Sequence, residues 1–356
     1  MRVAVTLEQC WHSVPGGTAV AALETVRRLE PVVDLIGVAA RHRRLPPEPW
    51  RPTIEVRHHR LGRPVLYEAW HACRRPHVES ATGRVDVVHA TSIIIPGHEA
   101  PLVVTLHDLA WRHDRARFTR RGVRFFERGL ALARREAALV LCSSVTTLNE
   151  CIDTGFDRDR LRHVPLGVEP TVATSEDVMR IRSDRQLPER FVLFVGTIEP
   201  RKNLSGVAAA MRALPNLSLV VAGPHGWGGD IGRDLAALGP RVKLLGFVPA
   251  VELRALYSAA SVVCVPSFWE GFCLPILEAM VQGAPVVTSR GGATEEVAGD
   301  AAVLVDPFDP ESIARGVRDA LERGAELAAA GRRRALTFPW EDTAAATLRA
   351  YQDAAR

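Results

Sequence analysis

Short apolar runs rich in valine and leucine alternate with longer helical stretches along the whole chain. Strands with apolar side chains on both faces are typical of a parallel sheet covered by helices on both sides. The runs form two sets, which predicts an α/β chain with two doubly wound, Rossmann-like parallel sheets. The first set is Val3–Leu7, Leu35–Ala40, Val85–His89, Leu102–Leu106 and Ala138–Cys142, and the second is Phe191–Val195, Leu217–Ala222, Val242–Leu245, Val262–Val265, Val286–Thr288 and Ala302–Val305.

The joint between the two predicted domains lies in the segment from Pro165 to Glu189. Pro165–Pro170 places turn residues on both sides of a short apolar piece, and a polar helical stretch follows it. A chain of 356 residues also exceeds what one hydrophobic core ordinarily supports. We therefore predict domains at residues 1–168 and 169–339, with one amphipathic helix at residues 340–356.

Two acidic side chains follow a predicted strand of the second domain. Glu270 and Glu278 both lie in Pro266–Met280, directly after the strand Val262–Val265. Ligands of open α/β sheets bind at the carboxyl ends of strands. Each carboxylate can accept hydrogen bonds from a pair of vicinal hydroxyls, which predicts a clamp for a sugar at one end and a ribose at the other. A lone glutamate would more often be an ordinary solvated side chain.

The backbone around this pair favours an oxygen-rich ligand. Gly271 permits close approach of a ligand to the main chain, and Pro275 suits the first turn of a helix. The positive end of that helix would then direct free amides at the ligand, namely those of Phe272, Cys273 and Leu274.

A pair of cations follows the strand Phe191–Val195. The loop begins at Gly196 and carries Arg201 and Lys202, followed by Asn203, which can cap the next helix. Arginine offers a fork to phosphate oxygens and lysine a compact charge, so the pair predicts a diphosphate site at a helix start. An arginine–lysine pair outside such a strand–loop–helix setting is usually a solvated face.

The amino-terminal half carries weaker signals at two strand ends. Gly16 and Gly17 precede a helical run and can bring backbone close to a ligand. His107 follows the strand Leu102–Leu106, where it could bond a sugar hydroxyl or orient a neighbouring group. A loop histidine satisfied by its neighbours is the alternative.

Several classes of function and location are disfavoured. The six cysteines lack zinc-ligand spacing, and the DxD match at Asp157–Asp159 lies in a surface loop, so we expect no metal. A net charge of only +4 with evenly scattered acids argues against a nucleic-acid partner. We found neither a secretory signal nor an apolar run long enough to span a bilayer, which predicts a cytoplasmic protein.

The combined pattern resembles the large family of retaining GT-B glycosyltransferases known as group 1 or family 4, which includes bacterial mannosyl- and glucosyltransferases. The resemblance covers nearly the whole chain and is strongest from Phe191 to Pro310. It rests on Glu270 and Glu278, on Gly196 with Arg201–Asn203, on Leu245–Val248, on Gly283–Val287, on Gly291–Ala293 with Glu295 and Glu296, and on Ala302–Pro310.

This resemblance implies the fold and a role for each matching residue. The two domains would face a central cleft, with the acceptor on the first, the nucleotide sugar on the second, and the helix 340–356 crossing back to the first. Arg201 and Lys202 would bind the donor diphosphate, and Glu270 and His107 would contact the transferred sugar. The remaining donor contacts would come from Gly16, Gly17, Gly196, Val248, Gly271, Phe272, Cys273, Leu274 and Glu278, with no cofactor or metal.

The segment Val192–Asn203 most resembles enzymes that transfer α-mannose from GDP-mannose in cell-envelope polysaccharide assembly. A glycan, glycolipid or lipid-linked molecule would be the acceptor. A UDP- or dTDP-sugar donor is the alternative, and a GT-B epimerase is a further one. A glycosidase or phosphorylase would need both carboxylates to flank one sugar.

The first domain also carries a basic, aromatic segment from Arg112 to Arg135. Such a surface could rest on anionic lipid on the inner face of the membrane, beside a lipid-linked acceptor. An ordinary solvated face with aromatic side chains in the core is the alternative. The residues in question are the arginines of this segment, Arg57–Arg60, Arg74, Arg75, Trp111, Phe118, Phe125 and Phe126.

Overall fold

The protein is described from a computed structural model, which covers residues 1–226 and 231–356. The chain divides into two compact units. One comprises Met1–Gly167 together with Trp340–Arg356, and the other comprises Val168–Pro339. The first boundary lies one residue before the predicted one.

The first unit, all of whose residues are described, contains a seven-stranded sheet in the order β3-β2-β1-β4-β5-β6-β7, and every strand pair in it is parallel. Its strands are β1 (Arg2–Thr6), β2 (Asp34–Ala39), β3 (Val56–His58), β4 (Val87–Ala90), β5 (Leu102–Leu106), β6 (Ala137–Cys142) and β7 (Leu161–His163). Its helices are α1 (Gly16–Leu29), α2 (Arg63–Cys73), α3 (Glu79–Thr82), α4 (Ala110–His113), α5 (Arg120–Glu136), α6 (Val145–Asp153) and, at the end of the chain, α15 (Trp340–Ala354).

The described part of the second unit contains six parallel strands in the order β10-β9-β8-β11-β12-β13. These are β8 (Phe191–Val195), β9 (Ser218–Ala222), β10 (Val242–Gly246), β11 (Val262–Val265), β12 (Val286–Ser289) and β13 (Val303–Val305). Its helices are α7 (Ser175–Asp184), α8 (Leu204–Ala210), α9 (Gly232–Ala236), α10 (Ala250–Ala259), α11 (Leu274–Val281), α12 (Gly292–Ala298), α13 (Pro310–Glu322) and α14 (Gly324–Ala335).

The predicted class, two Rossmann-like parallel sheets with helices between the strands, is therefore confirmed. The order of the second sheet is that of a dinucleotide-binding Rossmann sheet, and the first adds a seventh strand to it. The order reverses between β1 and β4 in one unit and between β8 and β11 in the other. Crevices outside the carboxyl ends of strands at such points are where ligands bind.

Burial on both faces explains why the strands read as continuous apolar runs. In β1, Ala4 packs in the core on one face of the sheet, whereas Val3 and Val5 pack in the core on the other. Because successive side chains of a strand point to opposite faces, both sets must be apolar when helices cover both.

The last helix belongs to the first unit, as the resemblance implied. Helix α15 packs on α1, β5 and β6, and the Tyr351 hydroxyl lies 2.7 Å from Nδ1 of the buried His89. Where the chain returns to the first unit, the backbone of Trp340 lies close to Gly167. A β-carbon at Gly167 would lie 2.4 Å from the backbone nitrogen of Trp340. Glycine at this position is therefore a packing requirement.

Candidate active site

Two loops of the second unit leave its sheet at the point where the strand order reverses. One follows β8 and carries Arg201 and Lys202, and the other follows β11 and carries Glu270. Because β8 and β11 are adjacent and parallel, both loops emerge at the same edge of the sheet. The fold thus brings the consecutive residues Arg201 and Lys202 to Glu270, which is distant from them in sequence, at the position where ligands of such sheets bind.

The two cations contact one carboxylate. Arg201 Nη1 donates to Glu270 Oε2 at 2.6 Å, and Lys202 Nζ donates to Glu270 Oε1 at 2.6 Å. The second guanidinium nitrogen of Arg201 donates to Glu199 Oε1 at 2.7 Å. The four side chains retain between 4% and 16% of their exposure, so these ion pairs are shielded from water.

This environment sets the ionisation of the two acids. Burial raises the pKa of Glu270, but the charges of Arg201 and Lys202 outweigh burial and hold the pKa at about 2. For Glu199 the balance is reversed: burial raises its pKa above the ordinary value despite the nearby cations. Glu270 is therefore an ionised acceptor of hydrogen bonds at neutral pH and not a proton donor.

Asn203 fixes the two loops relative to each other. It adopts a left-handed conformation with φ of 60° and caps α8 by accepting from the Gly206 amide at 3.2 Å, as the sequence predicted. Its side-chain amide donates to the Pro266 carbonyl at 3.0 Å and to the Pro307 carbonyl at 2.7 Å. One buried side chain thus joins the loops that follow β8, β11 and β13.

The backbone after Glu270 turns sharply into α11. Cys273 has φ of 78°, a left-handed value that is unusual for a residue other than glycine. Helix α11 begins at Leu274 with Pro275 in its first turn, and no side chain caps its amino end. The amides of Phe272, Cys273 and Leu274 therefore lie at an uncapped helix start beside the carboxylate, as predicted. Burial raises the pKa of the Cys273 thiol to about 12.

The other predicted donor contacts of the second unit lie in the loop after β8, on α11 and after β10. Gly196 approaches the Lys202 side chain, since a β-carbon there would lie 3.6 Å from its Cδ and Cε atoms. Glu278 lies on α11, where Oε2 accepts from the Tyr257 hydroxyl at 2.7 Å, and burial raises its pKa. Val248 follows β10, the edge strand, and its side chain is buried.

The predicted residues of the first unit lie at the equivalent edge of its own sheet. Helix α1 starts at Gly16, which has φ of 62° and open space around it, and Gly17 follows. His107 Nε2 lies 3.2 Å from the Thr91 carbonyl and must donate to it, and Nδ1 lies 3.0 Å from the Ser143 hydroxyl. Burial lowers the pKa of His107, so the imidazole is neutral and both of its nitrogens are hydrogen-bonded within this unit.

Three participants were not predicted from sequence. Glu199 precedes the cation pair by only two residues and could have been noticed as an acid beside it. Tyr257 and Ser143 meet Glu278 and His107 only through tertiary packing. Their identities carry no local signal, because contacts across such sequence separations depend on the register of the fold.

In the basic, aromatic segment of the first unit, the aromatic side chains pack against one another and most arginines have polar partners. Trp111 is buried, and its ring packs against Phe126, which also contacts Phe118 and Phe125. The segment 112–135 has nine arginines and two acids, yet most of the arginines pair with carboxylates or carbonyl groups. Arg112 and Arg115 share Glu127, Arg121 and Arg128 share Glu68, Arg117 pairs with Asp114, Arg135 pairs with Glu136, and Arg134 bonds the Thr154 carbonyl.

Metal-ligand clusters and membrane-spanning helices are both absent from the part of the chain that the structure describes. Within residues 1–226 and 231–356, no three histidine, cysteine or acidic side chains are grouped as metal ligands. Asp157 of the DxD match accepts from the Asp159 amide at 3.0 Å and starts a short turn. In the same ranges, no helix combines the length and hydrophobicity needed to cross a bilayer.

The two Rossmann-like units are those of the GT-B fold, and comparison with known proteins gives the family. The family model "Glycosyl transferases group 1" matches residues 176–336, and "Glycosyltransferase Family 4" matches residues 15–172. The chain belongs to this glycosyltransferase family. Its curated relatives belong to the same class.

O-antigen chain mannosyltransferase B of Escherichia coli is 32% identical over 75% of this chain and 74% of that protein. MMP alpha-(1->4)-mannosyltransferase of Mycolicibacterium hassiacum is 30% identical over 76% of this chain and 71% of the relative. Among solved structures, Anabaena HepE in complex with UDP and glucose superimposes with a TM-score of 0.76, at 18% identity and with 98% of both chains covered. At that identity the structural match shows the fold alone.

Proposed function

We propose that this enzyme is a retaining, metal-independent mannosyltransferase that transfers α-mannose from GDP-mannose to a glycan, glycolipid or lipid-linked acceptor. The observation that carries the proposal is the contact of Arg201 and Lys202 with the ionised Glu270 at the reversal point of the second sheet. Cations can neutralise a leaving diphosphate there, and the carboxylate can orient sugar hydroxyls.

The choice of mannose is supported by the relatives. Both curated proteins described above are named as mannosyltransferases and match about three quarters of this chain. The segment Val192–Asn203, which comprises most of β8 and the loop after it, resembles that of GDP-mannose enzymes. The names of these relatives support mannose as the transferred sugar.

The proposed reaction needs no enzyme nucleophile. The bond between the anomeric carbon and the diphosphate oxygen breaks, and the acceptor hydroxyl attacks the same face of the sugar. Its proton passes to the departing diphosphate oxygen, while Arg201 and Lys202 stabilise the charge that develops there. Glu270 is held between these cations, which suits it to positioning and not to covalent attack. Trapping a sugar ester on Glu270 would overturn this mechanism.

The remaining predicted residues receive binding roles in the proposal. Glu278 would hold the ribose, and the Val248 backbone would meet the base. The amides that begin α11 would face sugar oxygens, and the loop at Gly16 and Gly17 would approach the donor phosphate. His107, neutral and fixed through its ring nitrogens, would shape the sugar site and contact it only after exchanging one of these bonds.

A donor screen tests the proposal without knowledge of the acceptor. The purified protein is incubated with GDP-mannose, UDP-glucose or dTDP-glucose in the presence of a chelator, and free sugar and nucleoside diphosphate are measured. We expect hydrolysis of GDP-mannose to exceed that of the other donors and to survive chelation. Product formed with an accepted glycan should be the α-anomer by NMR, and a β-anomer would exclude retention.

One observation keeps UDP-sugars as the second candidate donor class. The structural neighbour HepE has been solved with UDP and glucose, and also with UDP-glucose. Thermal melting at equal ligand concentration separates the two classes, because the rise in melting temperature grows with the logarithm of the affinity. A shift with UDP-glucose and none with GDP-mannose would replace the mannose assignment and leave the glycosyltransferase class intact.

A further inference from the structure

Arginines without a carboxylate partner are concentrated on a short stretch of the first unit. Residues 41–63 contain seven arginines and two glutamates. Arg51 pairs with Glu48 and Arg57 with Glu55. In the part of the chain that the structure describes, no acidic side chain lies within 4.0 Å of the other five, which we call the basic rim: Arg41, Arg43, Arg44, Arg60 and Arg63.

The fold places the basic rim at one edge of the sheet. Arg41, Arg43 and Arg44 follow β2. Arg60 follows β3, its parallel neighbour, and Arg63 is the first residue of α2. The two segments remain side by side beyond the strands, because the Arg41 amide donates to the Leu61 carbonyl at 2.8 Å. Four of the five arginines are exposed and Arg63 is half-buried. Among the described residues none of the five forms an ion pair with a carboxylate, so their charges would attract an anion.

Beside the rim lies a rigid group of side chains. Glu8 is 3% exposed, and its carboxylate accepts from the Ala40 amide at 2.7 Å and from His42 Nε2 at 2.9 Å. The Trp11 ring stacks on His42 with centroids 4.8 Å apart. His58 meets the Trp11 ring edge-on, and its Nδ1 donates to the Ala40 carbonyl at 2.7 Å. These bonds hold the segment after β2 in place and so fix the start of the rim.

The group belongs to the ligand-binding edge of this sheet. Glu8 and Trp11 lie in the loop after β1, the same loop that leads to Gly16 at the start of α1. That loop adjoins the point at which the strand order reverses. The cations proposed for the donor diphosphate, Arg201 and Lys202, belong to the other unit.

We infer that the basic rim binds the phosphate of a phosphorylated saccharide acceptor. Arginine forks match phosphate oxygens in a bidentate way, and several around one anion distribute its two charges. A neutral glycan would offer these five arginines no charge to pair with. The inference rests on the proposed function, since it names the class of acceptor that this glycosyltransferase would use.

The experiment measures phosphate binding separately from donor binding. Inorganic pyrophosphate is titrated calorimetrically into the full chain with the donor site saturated by GDP. We expect Arg43→Glu/Arg60→Glu to weaken pyrophosphate binding about tenfold, because two attractions become repulsions. The matched control is Arg120→Glu/Arg124→Glu on α5, which makes the same charge change at exposed arginines and should leave pyrophosphate binding within twofold of the parent.

Three outcomes would overturn the inference. The first is an equal weakening of pyrophosphate binding in the rim variant and the control variant, and the second is no weakening in either. The third is a rim variant that binds pyrophosphate like the parent but no longer binds phosphatidylglycerol vesicles. The third would assign the rim to a membrane surface instead. If the glutamate substitutions disturb folding, pyrophosphate binding is measured instead on Arg43→Ala/Arg60→Ala, provided that its melting temperature equals that of the parent.

The same samples test the underlying function independently. Release of sugar from GDP-mannose and the melting shift with GDP report the donor site and should be unchanged in the rim variants. If neither signal exists in the parent protein, the proposed function fails, whatever happens at the rim. If both persist and the rim variants bind pyrophosphate like the parent, only the acceptor inference fails.

Discussion

At the scale of single residues, the cluster at the candidate active site is balanced in charge. The cations Arg201 and Lys202 face the acids Glu199 and Glu270 in a largely buried setting. An incoming diphosphate would add negative charge, so the cations must be shared between it and Glu270. This gives each of the four residues a different expected effect on substitution.

Lys202→Met removes one cation while keeping a side chain of similar length. We expect turnover of the donor to fall about 10²- to 10³-fold, the typical loss of one preorganised electrostatic contact to a leaving group. The measurement is nucleoside diphosphate release at saturating donor. Lys243→Met is the control, since Lys243 is the other lysine of the chain and lies on β10. Equal losses in the two variants would contradict the assigned role.

Glu199→Gln tests whether this buried acid positions Arg201. In the parent, Arg201 Nη2 lies 2.7 Å from Glu199 Oε1. The glutamine amide can still accept a hydrogen bond from Nη2, but it carries no charge to orient the guanidinium. We expect kcat to fall about tenfold with KM for the donor nearly unchanged, as for other residues that orient a catalytic group. A rise in KM alone would mean that Glu199 affects binding and not the alignment of the cation.

The low pKa of Glu270 predicts a pH dependence of stability. Its pKa is lowered from 4.5 to about 2, so the ionised form stabilises the folded state above pH 4.5, and this contribution is lost as the pH falls towards 2. Over the full shift it amounts to about 3 kcal/mol. The difference in unfolding free energy between the parent and Glu270→Gln should be constant from pH 5 to 7, and should shrink below pH 4.5. A difference that does not change down to pH 3 would refute the ion-pair origin.

At the scale of elements, strands that are buried on both faces could be predicted from the sequence, because their side chains form continuous apolar runs. Predicted runs such as Leu102–Leu106 and Val262–Val265 coincide with strands of the structure. Strand β3, at Val56–His58, was not predicted because it is an edge strand with two exposed polar residues. The left-handed turn at Cys273 also gave no signal, because cysteine does not favour that conformation.

The ends of elements were predicted where a local rule applies. Pro275 in the first turn of α11 and Asn203 as the cap of α8 both follow from backbone chemistry that the sequence displays. The bond from Tyr257 to Glu278 depends on the packing of α10 against α11, which no local rule gives. The loops and helix starts of the candidate site could therefore be predicted from the sequence. The side chains that hydrogen-bond to its residues from other elements could not.

Asn203 offers a test of how the loops are held. Asn203→Ala removes the cap and two buried amide bonds and places alanine in a left-handed conformation, so we expect a loss of about 3 kcal/mol of stability. Asn203→Gly loses the same bonds without the conformational strain and should be about 1 kcal/mol less destabilised. Urea unfolding measures both. Alanine and glycine variants of equal stability would show that the left-handed backbone contributes nothing.

At the scale of the whole molecule, the first unit is built from two separated parts of the chain. Residues Met1–Gly167 form its sheet, and Trp340–Arg356 return to cover one face of it. Trp340, Ala344, Ala350 and Tyr351 are buried in this packing. The second unit lies between these parts in sequence, so it is synthesised before α15.

Truncation after Pro339 should therefore damage one unit more than the other. Loss of α15 exposes the apolar core on that face and leaves His89 without its 2.7 Å partner, the Tyr351 hydroxyl. We expect thermal unfolding to separate into an early transition of the first unit and a later one that GDP still raises. A milder variant, Tyr351→Phe, removes only the hydroxyl and should cost about 1–2 kcal/mol through the unpaired buried imidazole. If the truncated chain kept a single transition at the parent temperature, α15 would not be part of the first core. If GDP no longer raised the later transition, nucleotide binding would depend on the first unit as well.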